Sequence, residues 1–260
     1  MLNAFFQIPT YILFVIIFCL IIFANWSGYR YKKWQIKKTP GQVRESMGSI
    51  EGAMLGVMSL LMGFSFSVAV SKYEARRQLT ITEANYIRTA ILRCDMYPDS
   101  IRNKLRTDFK EYVEARVAYY KAGYNEYRIT EELENAETIS GRLWKTVMFY
   151  SNDLSFRVRS GQMIPNLNQM IEIVVTRDAQ RISKVPPLIL WTLLILVLIA
   201  AFLLGNDFEG HKRNVILLVG YALVMTLTLN LINELNHPRQ GLINLDQAEK
   251  KMEDLRKLVL

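Results

Sequence analysis

Residues 50–71 read IEGAMLGVMSLLMGFSFSVAVS, and the reading of this stretch decides the fold. Its only charge is Glu51, at the start. It is long and apolar enough to cross a bilayer, which takes about 20 residues at helical rise. Gly52, Gly56, Ser59, Gly63, Ser67 and Ser71 recur at steps of three or four, so they line one face of a helix. Met54, Met58, Met62 and Phe66 recur at steps of four and form a second stripe. Small residues in a row let another helix approach closely, or leave room for a lumen. Two readings stay open: a helix that packs against others, or a pore-lining helix with a soft apolar constriction.

The same character recurs elsewhere. The chain has 260 residues and is 51% hydrophobic. Its apolar residues are concentrated in four nearly uncharged runs around a highly charged middle, the profile of a membrane protein with one sizeable polar domain. The net charge of +8 reads as basic flanks meeting lipid headgroups, not as a nucleic-acid surface. Cys19 and Cys94 are too far apart in character to argue a disulfide framework. His211 and His237 are too isolated to argue a metal site, and no cofactor is implied. There is no Gly-rich phosphate loop, paired-histidine motif or nucleophile elbow, so no enzymatic reading is carried forward.

Outward from the second span, residues from Phe5 to Trp26 form the first, with the core YILFVIIFCLIIFANW. A basic loop follows, carrying Arg30, Lys32, Lys33, Lys37, Lys38 and Arg44. Trp26, Tyr29, Tyr31 and Trp34 suit the headgroup level. Past Ser71 no Gly or Pro intervenes before Pro98, so one helix is expected from about Ile50 to Met96. Next comes DSIRNKLRTDFKEYVEARVAYYKAG, capped by Asp99 or Ser100 and ended by Gly123. Further helices are expected from Thr130 or Glu131 to Tyr150 and from Pro165 to Ser183. Pro186 and Pro187 open a third span, since proline is tolerated in a first helical turn. The short NDFEGHKR links it to a fourth, NVILLVGYALVMTLTLNLIN, as an antiparallel hairpin. After a break at NHPRQG, an amphipathic helix presents Leu245, Ala248, Met252, Leu255 and Val259. The expected fold class is all-α: four transmembrane helices with a helical extramembrane domain between the second and third. The parts are residues 1–71, 72–185, 186–234 and a 235–260 tail.

This order resembles the bacterial bestrophin-like domain family, whose members are largely of unknown function. Two stretches carry the resemblance: LLMGFSFSVAVSKYEARRQLTITEANYIRTAILR, ahead of PDSIRNKLRTDFKEYVEARV, and the tail NELNHPRQGLINLDQAEKKMEDL. The tail looks like that family's Arg-Pro-x-x-Gly ending, with His237 in place of the arginine. GFSFSVAVSKYEARR is similar to the bestrophin helix whose apolar residues form the neck of a pentameric anion channel. The resemblance implies Met62, Phe66 and Val70 on the neck side, with Phe64 as a rival on another face. No acidic calcium-clasp motif is present, so calcium gating is not implied.

Charged and polar residues near the span ends are the remaining candidates. Glu51 either complements a helix N-terminus or forms an acidic ring at a pore mouth. Glu83 reads as a solvated or interhelical ion-pair residue, or as a carboxylate paired with Arg88 or with Arg76 of a neighbouring subunit. Arg76 and Arg77 either anchor to lipid or attract anions at a pore exit. Asn230, Asn233 and Glu234 gather toward one side at the end of the fourth span. They read as interfacial caps or as a functional polar group at membrane depth.

The expected partners are the lipid bilayer, inorganic ions with anions favoured, and further copies of the chain, five by analogy only. The alternative is a non-conducting membrane sensor or scaffold whose helical domain binds a partner. For sidedness, the basic first loop puts the helical domain outside by the positive-inside rule, whereas the bestrophin resemblance puts it in the cytoplasm.

Overall fold

The computed structural model describes residues 8–38, 48–123, 125–206, 215–237, 243 and 245–259. All elements among them are helical: α1 Thr10–Lys38, α2 Gly48–Arg93, α3 Asp99–Lys121, α4 Glu126–Ser151, α5 Arg157–Ile182, α6 Pro187–Asn206, α7 Val215–Asn236, α8 Asp246–Asp254 and α9 Arg256–Val259. Four helical stretches are long and apolar enough to cross a membrane. Glu51's side chain, Arg44, His211 and the breaks expected at NDFEGHKR and NHPRQG lie wholly or largely outside the described residues.

The helix through the second span runs unbroken from Gly48 to Arg93, and a single 3₁₀ turn, Cys94–Met96, follows. Pro98 ends that run as expected, but it also occupies the cap position of α3, so neither Asp99 nor Ser100 caps it. Asp99 lies in the first turn and pairs with Arg102 at 2.6 Å. Gly123 ends α3 with φ of 60°, a conformation that suits a residue without a Cβ.

Three boundaries differ from expectation. The first helix does not stop near Trp26. It continues to Lys38, so most of the expected basic loop is helical. The Lys, Tyr, Trp and Gln residues there carry no break signal until Pro40. Helix α4 starts earlier, at Glu126, because the Asn125 side chain accepts a hydrogen bond from the Arg128 amide at 3.2 Å. Helix α5 starts at Arg157, which leaves Pro165 inside the helix. There it removes one helical hydrogen bond, offset by the burial of Met163, Asn166, Leu167 and Met170 around it.

The helices gather into two compact units, each with its own core. The membrane unit, residues 1–73 and 184–243, holds α1, the first part of α2, α6 and α7. Its core joins Leu13, Ile17 and Ile21 to Leu193, Leu194 and Val197, and to Ala222, Leu229 and Ile232. The closest approach is between α1 and α6. A Cβ added to Gly28 would lie 2.0 Å from the Phe202 carbonyl oxygen, and one on Gly205 would lie 2.1 Å from that of Asn25. Only glycine allows two backbones to sit so close. Beside this contact the Asn25 amide donates to the Ala201 carbonyl at 3.1 Å.

The helical unit, residues 74–183 and 244–260, packs α3, α4, α5 and the outer part of α2 around Ile87, Ile91, Leu105, Phe109, Val113, Leu143 and Leu167. The C-terminal helix buries Leu245, Ala248, Met252 and Leu255. Met252 and Leu255 join this same core, and Arg256 bonds Glu114 of α3 through Nε at 2.7 Å.

Candidate functional site

Within the membrane unit, α2 has two unlike sides. Met58, Met62, Ser65 and Ala69 are buried, and Met58, Met62 and Ala69 belong to the core shared with α1, α6 and α7. Gly52, Gly56, Ser59, Gly63, Phe66, Ser67 and Val70 are exposed. A Cβ at Gly52, Gly56 or Gly63 would meet nothing within 4 Å. This corrects the methionine stripe as a single lining face. Steps of four advance about 40° each around a helix of 3.6 residues per turn. The line through Met54, Met58, Met62 and Phe66 therefore drifts across the packed side. Met54 is half-buried, and only Phe66 and its neighbour Val70 reach the open side.

The polar candidates beyond the span also move inward. Arg76 is buried, not a pore-exit charge. Its Nε donates to the Gln180 carbonyl at 3.2 Å and its Nη2 to that of Ser183 at 2.8 Å. It thus satisfies carbonyls at the end of α5 that lack helical partners. Arg77 stays half-exposed and pairs with Glu74 at 2.9 Å.

Glu83 is fully buried, and its partners are neither Arg88 nor a neighbour's Arg76. Arg116 of α3 donates through Nε to Oε1 at 2.5 Å and through Nη2 to Oε2 at 3.3 Å. Arg177 of α5 donates through Nη1 to Oε2, and Tyr120 donates its hydroxyl to the same oxygen at 3.2 Å. Arg177 Nη2 also donates to Thr80 Oγ1 at 3.1 Å. The Tyr119 ring lies 4.4 Å from the Arg116 guanidinium, and the Tyr120 ring 4.6 Å from that of Arg177. Burial alone would raise the Glu83 carboxyl, but the two guanidiniums and their hydrogen bonds outweigh it and hold it below the usual carboxylate range.

The sequence reading missed Arg116 and Arg177 as partners. The signal was present: Arg116 falls on the apolar face of α3 with Tyr112, Val113 and Phe109, and Arg177 lies one turn beyond Ile173 on α5. An arginine on an apolar line implies a buried acid, because an unpaired buried charge is too costly to keep.

Asn230, Asn233 and Glu234 share one side of α7 as expected, with Thr226 and His237, and all five are buried. They are not interfacial caps. Asn230 Nδ2 donates to the Thr226 carbonyl at 3.0 Å, and His237 Nδ1 lies 3.1 Å from that of Asn233. Next to them Asn236 Oδ1 accepts from the Val185 amide at 2.7 Å, fixing the entry to α6.

The bestrophin-like domain family model matches residues 34–249. The chain therefore belongs to that family. No curated relative matches. Among solved structures, an aspartate-to-alanine variant of a bacterial bestrophin homologue from Klebsiella pneumoniae is similar with a TM-score of 0.72 at 13% identity, covering 95% of this chain and 98% of that one. A tyrosine-to-alanine variant of the same homologue gives 0.71 at 13%, covering 94% and 98%. The form phased on zinc gives 0.68 at 14%, covering 94% and 97%. The shared fold and the four apolar helices make this chain an all-α, multi-pass membrane protein of the bestrophin-like family.

Proposed function

We propose that the chain is one subunit of an oligomeric ion channel whose second helices face one another across the pore. The observation that carries this reading is the side of α2 left uncovered by the chain itself. Gly52, Gly56, Ser59, Gly63 and Ser67 form a smooth strip there, and nothing else lies within 4 Å of where the three glycines would carry a Cβ. In lipid no hydrophobic force draws helices together, so close backbone approach along small residues is the main source of association. Phe66 and Val70 lie on the same side. In a ring of subunits they would form an apolar constriction that gates by dewetting, since an ion entering it loses hydration without gaining ligands. Anions are favoured over cations by the basic residues beyond the span, of which Arg77 stays half-exposed. A fivefold ring follows by analogy with bestrophins.

The test is current through purified protein in planar bilayers. Wild type gives small or gated currents, Phe66→Ala raises them, and Arg77→Glu moves the reversal potential in a salt gradient away from the anion side. Well-folded oligomers that carry no current in wild type or Phe66→Ala would favour the sensor or scaffold reading.

A further inference from the structure

The cluster around Glu83 holds two guanidinium charges against one carboxylate. Both arginines remain charged at any working pH. The groups acting electrostatically on Arg116 are Glu83, Tyr112 and Tyr119, and those on Arg177 are Glu83, Arg116 and Tyr119. No second carboxylate is among them. One positive charge is thus left over in the packed interior of the helical unit, where an uncompensated ion is costly.

The hydrogen bonds leave the same remainder. Glu83 accepts one bond on Oε1 and three on Oε2, so its four lone-pair positions are filled. Arg116 is 0% exposed, yet its Nη1 has no partner. One turn earlier on the same face of α3, the Tyr112 hydroxyl makes no hydrogen bond among the described residues. Tyr112 also lines a cavity of about 280 Å³ between α3, α4 and α5. The cavity's other lining groups are apolar except Ser140, Glu137 and Asp178, and Asp178 is held by Arg181 at 2.8 Å.

The geometry points to a small monovalent anion, of the halide class, bound between Arg116 Nη1 and the Tyr112 hydroxyl and entering through this cavity. A halide needs few donors and fits an enclosed corner. A carboxylate or phosphate would bring further oxygens with nothing to donate to them. Glu137 opposes entry, so Glu137→Gln tightens the site. The site goes beyond the channel reading, and its test does not require conduction.

Crystals of the full chain grown in bromide should show an anomalous peak within hydrogen-bonding distance of Arg116 Nη1. In solution, replacing gluconate by chloride at constant ionic strength should raise the wild-type melting midpoint saturably by roughly 2 °C or more, because a ligand that binds only the folded state stabilises it. Arg116→Gln leaves Glu83 balanced by Arg177 and should lose that dependence. If that variant does not fold, Tyr112→Phe removes one donor while keeping the ring, and should shrink the shift at least twofold. Equal midpoints in both salts would overturn the proposal, even with a bromide peak, which would then be binding at crystal concentration only. Absence of both would leave Nη1 to a water.

Discussion

The two parts of α2 make opposite use of their surfaces. From Gly52 to Val70, one side of the helix packs on its own chain and the other, glycine-bearing side is left open. Farther along, Thr80 and Glu83 are completely buried and Glu83 is bonded from two other helices. The outer part is therefore consumed inside the subunit, and the membrane part is free for something outside it. A second contrast sharpens the first. Gly28 and Gly205 are glycines because backbone carbonyls already occupy the space of a Cβ, whereas Gly52, Gly56 and Gly63 have no such neighbour. Small residues in a membrane helix thus mark two different things, and only the structure separates them.

The largest expected effect lies in the outer part. Glu83→Gln leaves two buried guanidiniums without their acid and should cost about 3–5 kcal/mol, read as a large fall in the melting midpoint. Acid should act the same way. The Glu83 carboxyl is held below its ordinary value in the fold. Its contribution is therefore present above the unfolded value of about 4.5 and is lost as pH falls through the lowered folded value. Wild type should lose midpoint more steeply below about pH 4.5 than Glu83→Gln does. Parallel curves would mean that the buried pairing is not what ties α2 to α3 and α5. Exposed acids such as Glu114, also held low by Arg256, contribute a background common to both proteins.

Next comes the contact between α1 and α6. Gly28→Ala and Gly205→Ala each place a methyl group about 2 Å from a carbonyl oxygen, and backbone cannot rotate away as a side chain can. The helices must separate, at a cost of about 1–3 kcal/mol or more. Each variant should lower the midpoint of the subunit itself, whatever its oligomeric state, and Gly28→Leu should do so further. An unchanged midpoint would remove the contrast between the two sets of glycines.

How far the chain itself discloses this differs between fold and site. Four apolar runs, the Pro98 stop and the Pro186–Pro187 opening are local signals, and they place most helices. The misplaced starts at Glu126 and Arg157 and the run-on of α1 to Lys38 turn on caps and weak breakers, where local preference is small. The site was less legible because its contacts are distant along the chain. Glu83 stands out in TITEANYIRTA, but Arg116 and Arg177 come from helices whose packing no local pattern gives. The stripe through Met58 and Met62 was visible as a stripe, yet periodicity alone could not say which stripe the chain would cover. Gly28 and Gly205 each sit alone near a span end, without the repeat that made the α2 glycines conspicuous.

The smallest effect on the subunit, and the most informative, is expected from Gly56→Leu and Gly63→Leu. A leucine at either position extends from the open side of α2 and meets nothing in its own chain. Helix propensity favours leucine over glycine by somewhat under about 1 kcal/mol in water, so the subunit's own midpoint should hold or rise. If the open side is an assembly surface, the same leucines hold neighbouring backbones apart and remove the close packing on which association in lipid depends. Native mass spectrometry from membranes should then show fewer or smaller oligomers, with subunits that remain folded. Ala substitutions at the same positions add one methyl each and should give an intermediate shift. A wild-type chain that crosslinks only as monomer would break the comparison outright, because the open side would then face lipid, and the channel reading would go with it. Loss of folding in Gly56→Leu or Gly63→Leu would break it from the other direction, since the open side would have been part of the subunit's own core.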